Sequence, residues 1–412
     1  MLMNYLRTAW AVFQRRKLFT AINLLCIVLT LVVLLVVTAL LQEAFYPTGV
    51  EHRSDRFLQV NMIEATNEKG SVMRRSPLGY KVIDKYLKDI PGVEVVGASA
   101  GPDEAHVYRS GGVTDIRLRH TDAGYWRIMD FKVMAGRVLD ADDIDKGRLA
   151  AVLTRSTAIK LFGSIGALGE KVDLGGQVFE VVGVVDDALH VNAFSDMWVP
   201  ITAYPSSEFR QQMSGNFTAL LMARSPQDLP AVRQRVIEIA KTISFPDEPD
   251  FNIARMWADS KIDLLARSLT SSQELDPGSG KIVAGIAAFM LVFMLLPALN
   301  LVNLNIGRIM ERSTEIGVRK AFGASNGQLA AQLVLENVLL CLAGGAIALL
   351  AARCILWWLE AAGPIRYLKV EMSPAVFGWG LLITLVFGVL SGVIPAWKMS
   401  RLDPVHALKG AA

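Results

Sequence analysis

Side chains that could do chemistry are scattered along this 412-residue chain rather than grouped. The five histidines show no H-x3-H spacing and have no cysteine beside them, so the usual ligand pattern of a zinc site is missing. They are His52, His106, His120, His190 and His406. No G-x-S-x-G elbow or similar nucleophile motif occurs either. The sequence therefore predicts a non-catalytic protein without a metal site or cofactor of its own.

Acidic and glycine-rich stretches imitate two ligand sites without matching either. The four aspartates of the run 140–145 invite a calcium interpretation, but Ile144 and the missing glutamate at the twelfth position do not fit an EF-hand loop. The stretches 163–171 and 278–281 resemble phosphate-binding loops, yet neither has a serine or threonine after its lysine. We therefore predict turns at all three places.

The elements that would position any site include four apolar blocks. The chain is 52% hydrophobic with a mean hydropathy of +0.37, which is too apolar for one soluble globule. Each block is long enough for a helix across a hydrocarbon core, which needs about 20 residues. The first exceeds the apolar run of a signal peptide, and no cleavage site follows it. We predict transmembrane helices at 18–42, 281–306, 329–359 and 375–397.

Charge distribution predicts the orientation of these helices. Lysine and arginine are in excess in the N-terminal segment 1–17, in the segment 307–328 and in the tail 398–412, which places all three in the cytoplasm. The segment 43–280 has more acidic than basic residues and is predicted to be exported. This distribution indicates basic flanks facing membrane lipid and no nucleic-acid binding. We expect a multi-pass protein of the bacterial inner membrane.

The exported segment 43–280 alternates between strand and helix patterns, which predicts an α+β domain. All three cysteines fall in the membrane blocks, so the domain must be held by its core without disulfides. A strand-rich insertion at about 112–200 separates two βαβ-like units, so we predict two lobes. The main strands are predicted at 57–63, 93–100, 217–224 and 251–257, and the helices at 77–89 and 229–243.

The most informative stretch, 307–332, reads GRIMERSTEIGVRKAFGASNGQLAAQ. Glu315 and Arg319 stand four residues apart in the favourable order, and Arg312 precedes Glu315 by three, as in a helix with paired charges. Glycines then break the run at 317 and 323, which predicts a helix, a bend and a short second helix. An ordinary charged cytoplasmic turn is the alternative.

The residues 311–325 (ERSTEIGVRKAFGAS) resemble the cytoplasmic loop of the MacB/FtsX-like ABC transporter permease family. The pattern of that family is close to E-R-x-x-E-I-G-x-R-x-A-x-G-A. The ending 394–409 (IPAWKMSRLDPVHALK) is similar to the ending of the same family, and looser similarities occur at 6–24 and 136–185. The resemblance keeps the order of elements along the whole chain.

This resemblance implies a permease subunit with four transmembrane helices and a MacB-type periplasmic core domain. The segment 307–328 would be a coupling helix that docks on a separate cytoplasmic ABC ATPase dimer, which would bind ATP and magnesium. MacB itself carries its ATPase on the same chain, so we expect split permeases as the nearest relatives. The resemblance implies six contact positions on the ATPase: Arg312, Glu315, Arg319, Ala321, Phe322 and Gly323.

Polar residues inside the membrane blocks allow two interpretations each. Asn300 and Asn303 are a candidate dimer seam with a second permease copy, or they bond within one bundle. Glu336 is either an ion relay or a glutamate paired with an arginine at the cytoplasmic face.

The resemblance implies export of a peptide, lipid or drug by transmitted ATP-driven motion, with a periplasmic adaptor as a candidate partner. The alternatives are a lipoprotein-extracting permease and an FtsX-like regulator of a periplasmic partner.

Overall fold

A computed structural model of the chain describes residues 17–45, 49–109, 112–188, 190–246, 248–292 and 322–362. It also describes positions 295, 299 and 318–319 and scattered positions between 378 and 393. The chain divides into two compact units. One contains residues 43–279, and the other contains the long apolar helices.

The described elements are numbered in chain order. The helices are α1 (Lys17–Phe45), α2 (Tyr80–Val82, continued as a π-helix over Ile83–Leu87), α3 (Ala123–Ile128), α4 (Ala141–Asp145), α5 (Arg155–Phe162), α6 (Leu229–Ala240), α7 (Lys261–Thr270), α8 (Ser279–Val292) and α9 (Asn326–Ala362). Short 3-10 turns lie at Gly49–Glu51, Ile201–Ala203, Ser207–Arg210 and Pro226–Asp228. The strands are β1 (Phe57–Val60), β2 (Met62–Thr66), β3 (Met73–Pro77), β4 (Val93–Ala100), β5 (Asp103–Arg109), β6 (Gly112–Thr121), β7 (Val133–Gly136), β8 (Ala150–Thr154), β9 (Lys171–Leu174), β10 (Gln177–Val185), β11 (Met197–Pro200), β12 (Phe217–Ala223) and β13 (Ile253–Met256).

Ten of these strands form one sheet in the order β1-β12-β4-β6-β11-β8-β10-β7, with β5 beside β6 and β9 beside β10. The pairs β6–β11 and β8–β10 are parallel, and the other pairs are antiparallel. A second, antiparallel sheet has the order β13-β2-β3. Strands β8 and β11 are buried along their whole length because apolar residues cover both faces of the sheet there.

Apolar residues alternate between the two faces of the large sheet, as the period of two in a strand requires. Leu220 of β12 and Trp198 of β11 face one shared cluster that also contains α3. Leu221 of β12 belongs to a cluster that includes α2, α6 and the small sheet. Val199 of β11 belongs to a third cluster around α5. The α+β class is confirmed, and the predicted insertion 112–200 continues the same sheet while packing its own cluster on one face.

Three local predictions were wrong, each for a physical reason. The turn expected at 140–145 is the short helix α4, because Asp140 and Asp143 cap its first turn reciprocally. The single strand expected at 57–63 is interrupted at Asn61, because β1 pairs with β12 in the large sheet and β2 pairs with β13 in the small one. The helix expected to begin at Pro77 begins at Tyr80 instead. Pro77 ends β3, the edge strand of the small sheet, where its missing N–H leaves no ladder bond unmade.

Among the residues that the structure describes, two helical stretches are long and apolar enough to cross a membrane, Thr20–Gln42 within α1 and Gly327–Ala362 within α9. Ile27, Leu31 and Leu35 of α1 share a buried cluster with Cys341 and Ala348 of α9. A Cβ at position 344 would lie 2.7 Å from Ile27 Cγ2, so the glycine there permits the close approach of the two helices.

All four predicted transmembrane helices stay predictions. Only part of 281–306 and scattered positions of 375–397 are described, and residues 1–16 and 398–412 lie outside the described residues. The described part of the second block is the apolar helix α8.

Candidate functional site

The segment 307–332, called the elbow below, is described at 318–319 and from 322 onward. Five predicted site residues therefore lie outside the described residues: Arg312, Glu315, Ala321, Asn300 and Asn303. The described part contains Arg319, Phe322 and Gly323 together with the start of α9.

A glycine in left-handed conformation ends the helical turn of the elbow. Val318 and Arg319 are helical, the Phe322 N–H donates to the Val318 carbonyl at 3.0 Å, and the Ala324 N–H donates to the Arg319 carbonyl at 3.0 Å. Gly323 has φ +89°, a conformation that a Cβ would strain. This pattern of a six-to-one hydrogen bond closed by a left-handed glycine is a common helix stop. The break predicted at Gly323 is therefore present.

Helix α9 begins directly after this turn. The Gln328 N–H donates to Ser325 Oγ at 3.3 Å, and the Ser325 N–H donates to Gln328 Oε1 at 3.1 Å. Such reciprocal bonds satisfy amide groups that the first helical turn leaves without a partner. The helix thus begins three residues before the predicted transmembrane span 329–359, and the S-x-x-Q signature at 325–328 marks its start.

A hydrogen-bonded chain ties the turn to α9. Arg319 Nη1 donates to Gln332 Oε1 at 3.0 Å, and Gln332 Nε2 donates to Glu336 Oε1 at 3.1 Å. Gln332 and Glu336 are one turn apart on α9, and Glu336 is only 2% exposed. Arg319 therefore bonds within its own chain, and Glu336 is connected to an arginine through Gln332. This geometry favours the arginine-linked interpretation of Glu336 over an ion relay.

Phe322, in contrast to the buried Glu336, is highly exposed. Its side chain is 89% exposed beside a turn that both Gly323 and the Arg319–Gln332–Glu336 chain fix in place. Full burial of a phenylalanine side chain is worth about 1.5–3 kcal/mol. A fixed turn that leaves such a large apolar side chain exposed has the form of a docking element rather than of a catalytic site.

The unit that contains residues 43–279 is called the exported unit below, after its predicted location. Its histidines have ordinary structural contacts. His106 Nδ1 lies 2.8 Å from an Asp115 carboxylate oxygen, and His52 Nδ1 lies 3.4 Å from Asp130. His120 stacks on Tyr204 with 3.9 Å between ring centroids, and burial lowers its pKa to about 4, so it is neutral near pH 7. Among the described residues, no three His, Cys, Asp or Glu side chains are arranged to hold a metal ion.

The acidic run 140–145 is built around a buried carboxylate. Asp140 caps α4 by accepting the Asp143 N–H at 3.0 Å. Asp143 accepts from Arg137 Nη1 at 2.5 Å and Nη2 at 2.9 Å, and Arg148 lies 3.4 Å away. The Arg137 guanidinium holds the pKa of Asp143 below its usual value. These carboxylate oxygens serve a cap and an ion-pair network.

A cleft of about 630 Å³ lies between α2, the start of α3 and α4. Its charged lining is mixed, with Lys88, Arg127 and Arg210 beside Asp84 and Asp122. Asp122 Oδ1 accepts the Ala98 N–H at 2.9 Å and the Tyr125 N–H at 2.8 Å. Burial raises the pKa of Asp122 to about 6, against the opposing effect of these bonds. Its role is to cap α3 against β4.

Comparison of the chain with known protein families gives two matches. Residues 20–239 match the family description of a MacB-like periplasmic core domain, which is more than half of the chain. Residues 287–404 match that of an FtsX-like permease C-terminal region. The chain belongs to the MacB/FtsX family of ABC transporter permeases. The expected family is thereby confirmed.

Individual relatives of this MacB/FtsX permease are moderately similar. The ABC transporter permease YknZ of Bacillus subtilis is 25% identical over 79% of this chain and 77% of its own length. The macrolide export ATP-binding/permease protein MacB of Vibrio parahaemolyticus is 24% identical over 79% of this chain and 47% of its own length. The chain thus spans about half the length of the MacB relatives. A solved extracellular domain of YknZ from Gram-positive bacteria is 22% identical over 48% of this chain and 98% of that domain, with a TM-score of 0.36.

Membership of this family supports a coarse description of the protein. Its homologues are membrane permeases of ABC transporters with periplasmic domains, and such permeases work with a cytoplasmic ATPase. The apolar helices α1 and α9 fit a membrane protein.

Proposed function

We propose that the chain is a non-catalytic permease subunit in which the elbow docks on a separate cytoplasmic ATPase dimer and transmits its ATP-driven motion to the exported domain. ATP and magnesium are bound by that partner. The subunit crosses the inner membrane four times with both termini in the cytoplasm. It pairs with a second permease copy and aids the export of a peptide, lipid or drug.

The observation that carries this proposal is the exposed Phe322 on a fixed turn. The elbow can transmit motion from the ATPase only if its contact with the ATPase is rigid. Gly323 and the Arg319–Gln332–Glu336 chain hold the turn in one conformation. Phe322 supplies apolar area for a groove on the partner. Arg319 is also a proposed contact with the ATPase, and its hydrogen bond to Gln332 helps to hold the shape of the elbow.

The contact can be tested by replacing Phe322 with alanine. We expect a large loss of co-purifying ATP-binding subunit and of ATP turnover in the complex, because one buried aromatic anchor is worth about 2 kcal/mol or more at an interface. The matched control is Leu275→Ala, which removes a half-exposed apolar side chain in the exported unit. Normal assembly and turnover of Phe322→Ala would refute the proposed contact.

The side of the membrane can be tested separately. In a chain whose three cysteines are replaced by serine, Phe322→Cys should react with a membrane-impermeant maleimide only from the cytoplasmic side. Lys69→Cys, at an exposed position of the exported unit, should react only from outside. Labelling of both cysteines from the same side would overturn the topology.

The cargo is decided by what the exported domain binds. Capture of an adaptor protein by a photo-crosslinker in that domain supports export. Capture of a lipoprotein supports extraction of lipoproteins, and capture of a cell-wall hydrolase supports a regulatory role.

A further inference from the structure

A buried ion pair joins two distant parts of the exported unit. Glu51 Oε2 and Lys261 Nζ lie 2.5 Å apart, and the two side chains are 0% and 6% exposed. Two charges so far from water are tolerated only together, because either one alone would be left uncompensated. The pair is therefore a strong constraint on the two segments that carry it.

Those two segments are the chain connections to the apolar helices. Glu51 ends the short turn that follows α1, and Lys261 is the first residue of α7, which precedes α8. The start of α7 is itself fixed, because Ser260 and Asp263 cap it reciprocally and Arg233 of α6 donates to Asp263 at 2.6 Å. The ion pair between Glu51 and Lys261 thus links the segment that follows α1 to the segment that precedes α8, and the second segment is itself held in place.

Hydrogen bonds continue from this pair into the large sheet. The Asn192 N–H donates to Glu51 Oε1 at 3.0 Å, and Tyr125 Oη donates to the Asn192 carbonyl at 2.8 Å. Trp198 Nε1 of β11 donates to Tyr125 Oη at 3.3 Å. All these residues are buried, and burial raises the pKa of Tyr125, which keeps its hydroxyl protonated as a donor.

We propose that Glu51, Lys261, Asn192, Tyr125 and Trp198 form a buried relay that holds the two connections together and ties them to β11. A displacement imposed on the connections then reaches the middle of the ten-stranded sheet instead of being absorbed in loops. The source of that displacement rests on the proposed function, whereas the relay is a property of this chain alone. The relay requires that its members be energetically coupled, and this coupling is what the tests below measure.

The first test uses hydrogen–deuterium exchange of the full chain in lipid nanodiscs without nucleotide. Lys261→Met should raise the exchange rate at least about 100-fold in residues 49–54 and 190–198 as well as in 261–270. The reason is that loss of the lysine leaves the buried charge of Glu51 uncompensated. Lys146→Met is the matched control, because its ion pair with Asp142 has the same 2.5 Å separation but is 61% and 47% exposed. An increase confined to 261–270 would overturn the relay.

A milder variant keeps the test decisive if Lys261→Met fails to fold. Tyr125→Phe removes only the hydroxyl and should raise exchange in 49–54 about 2- to 10-fold, the range for one lost hydrogen bond. Tyr204→Phe, outside the relay, should leave 49–54 unchanged. The effects of Tyr125→Phe and Glu51→Gln should be less than additive, because the two residues share one network. Full additivity would count against the relay.

A second test separates the relay from the proposed function. In the complex with its ATPase, addition of ATP should change exchange in 190–198, and Tyr125→Phe should abolish that change while ATP turnover continues. If the unsubstituted complex shows no ATP response, the proposed function fails and the exchange test without nucleotide still decides the relay. If Tyr125→Phe responds like the unsubstituted chain, the relay is wrong.

Discussion

Helix α3 lies against β4 so closely that two glycines face each other. A Cβ added at Gly124 would lie 1.9 Å from the Val96 carbonyl oxygen and 2.9 Å from Gly97 Cα. A Cβ added at Gly97 would lie 2.7 Å from the Tyr125 nitrogen. Atoms of the backbone cannot rotate away as the end of a side chain can. We therefore predict that Gly124→Ala separates α3 from β4 and strongly destabilises the exported unit.

The size of the effect follows from the overlap. Real Cβ atoms almost never come within 3.0 Å of other atoms, so α3 must move by about 1 Å. Overpacking a core costs about 1–3 kcal/mol, and a clash with backbone belongs at the upper end. For a unit of this size, about 3 kcal/mol lowers the melting temperature by about 6–12 °C. The same shift would pull Tyr125 Oη from the Asn192 carbonyl.

The measurement is thermal unfolding of the full chain in detergent, followed by tryptophan fluorescence. Trp126 and Trp198 lie in the affected cluster and report its opening. Gly166→Ala is the control, because the nearest atom to its added Cβ would be Ser164 Oγ at 3.6 Å. The control should stay within about 0.5 kcal/mol of the unsubstituted chain, as ordinary surface changes do. Equal melting temperatures for Gly124→Ala and Gly166→Ala would refute the reasoning.

Two further predictions concern pH. Arg137 lowers the pKa of Asp143 in the folded state, so this stabilisation is present above the unfolded pKa near 4 and is lost as the pH falls below it. Asp143→Asn should therefore cost about 1–2 kcal/mol of unfolding free energy at pH 7 and less at pH 3; an equal loss at both would contradict it. Burial raises the pKa of Asp122 to about 6, so the folded state keeps a proton that the unfolded chain releases, and stability falls as the pH rises from about 4 to 6. Asp122→Asn should flatten this slope in a pH series of thermal unfolding, and an unchanged slope would assign the effect to other groups.

Local apolar pattern predicted those parts of the fold whose cause is local. Strand β4 was predicted at its observed bounds, because Val93–Ala100 is an apolar run between turn residues. The break at Asn61 could not be foreseen, since β1 and β2 form one continuous pattern and only their distant partners differ. The same holds for Glu51 and Lys261, whose pairing depends on the topology that brings their segments together.

The elbow likewise has features that depend on local sequence and features that do not. Gly323 and the signature at 325–328 are local signals, so the helix stop and the start of α9 can be derived from sequence. A family motif, however, does not distinguish residues that touch a partner from residues that hold a shape. The structure shows that two residues of the motif differ in their surroundings, because Arg319 donates a hydrogen bond to Gln332 while the Phe322 side chain is 89% exposed. An arginine that holds the shape of the elbow is as necessary for coupling as an arginine that contacts the ATPase. The presence of Arg319 in the motif therefore does not by itself indicate contact.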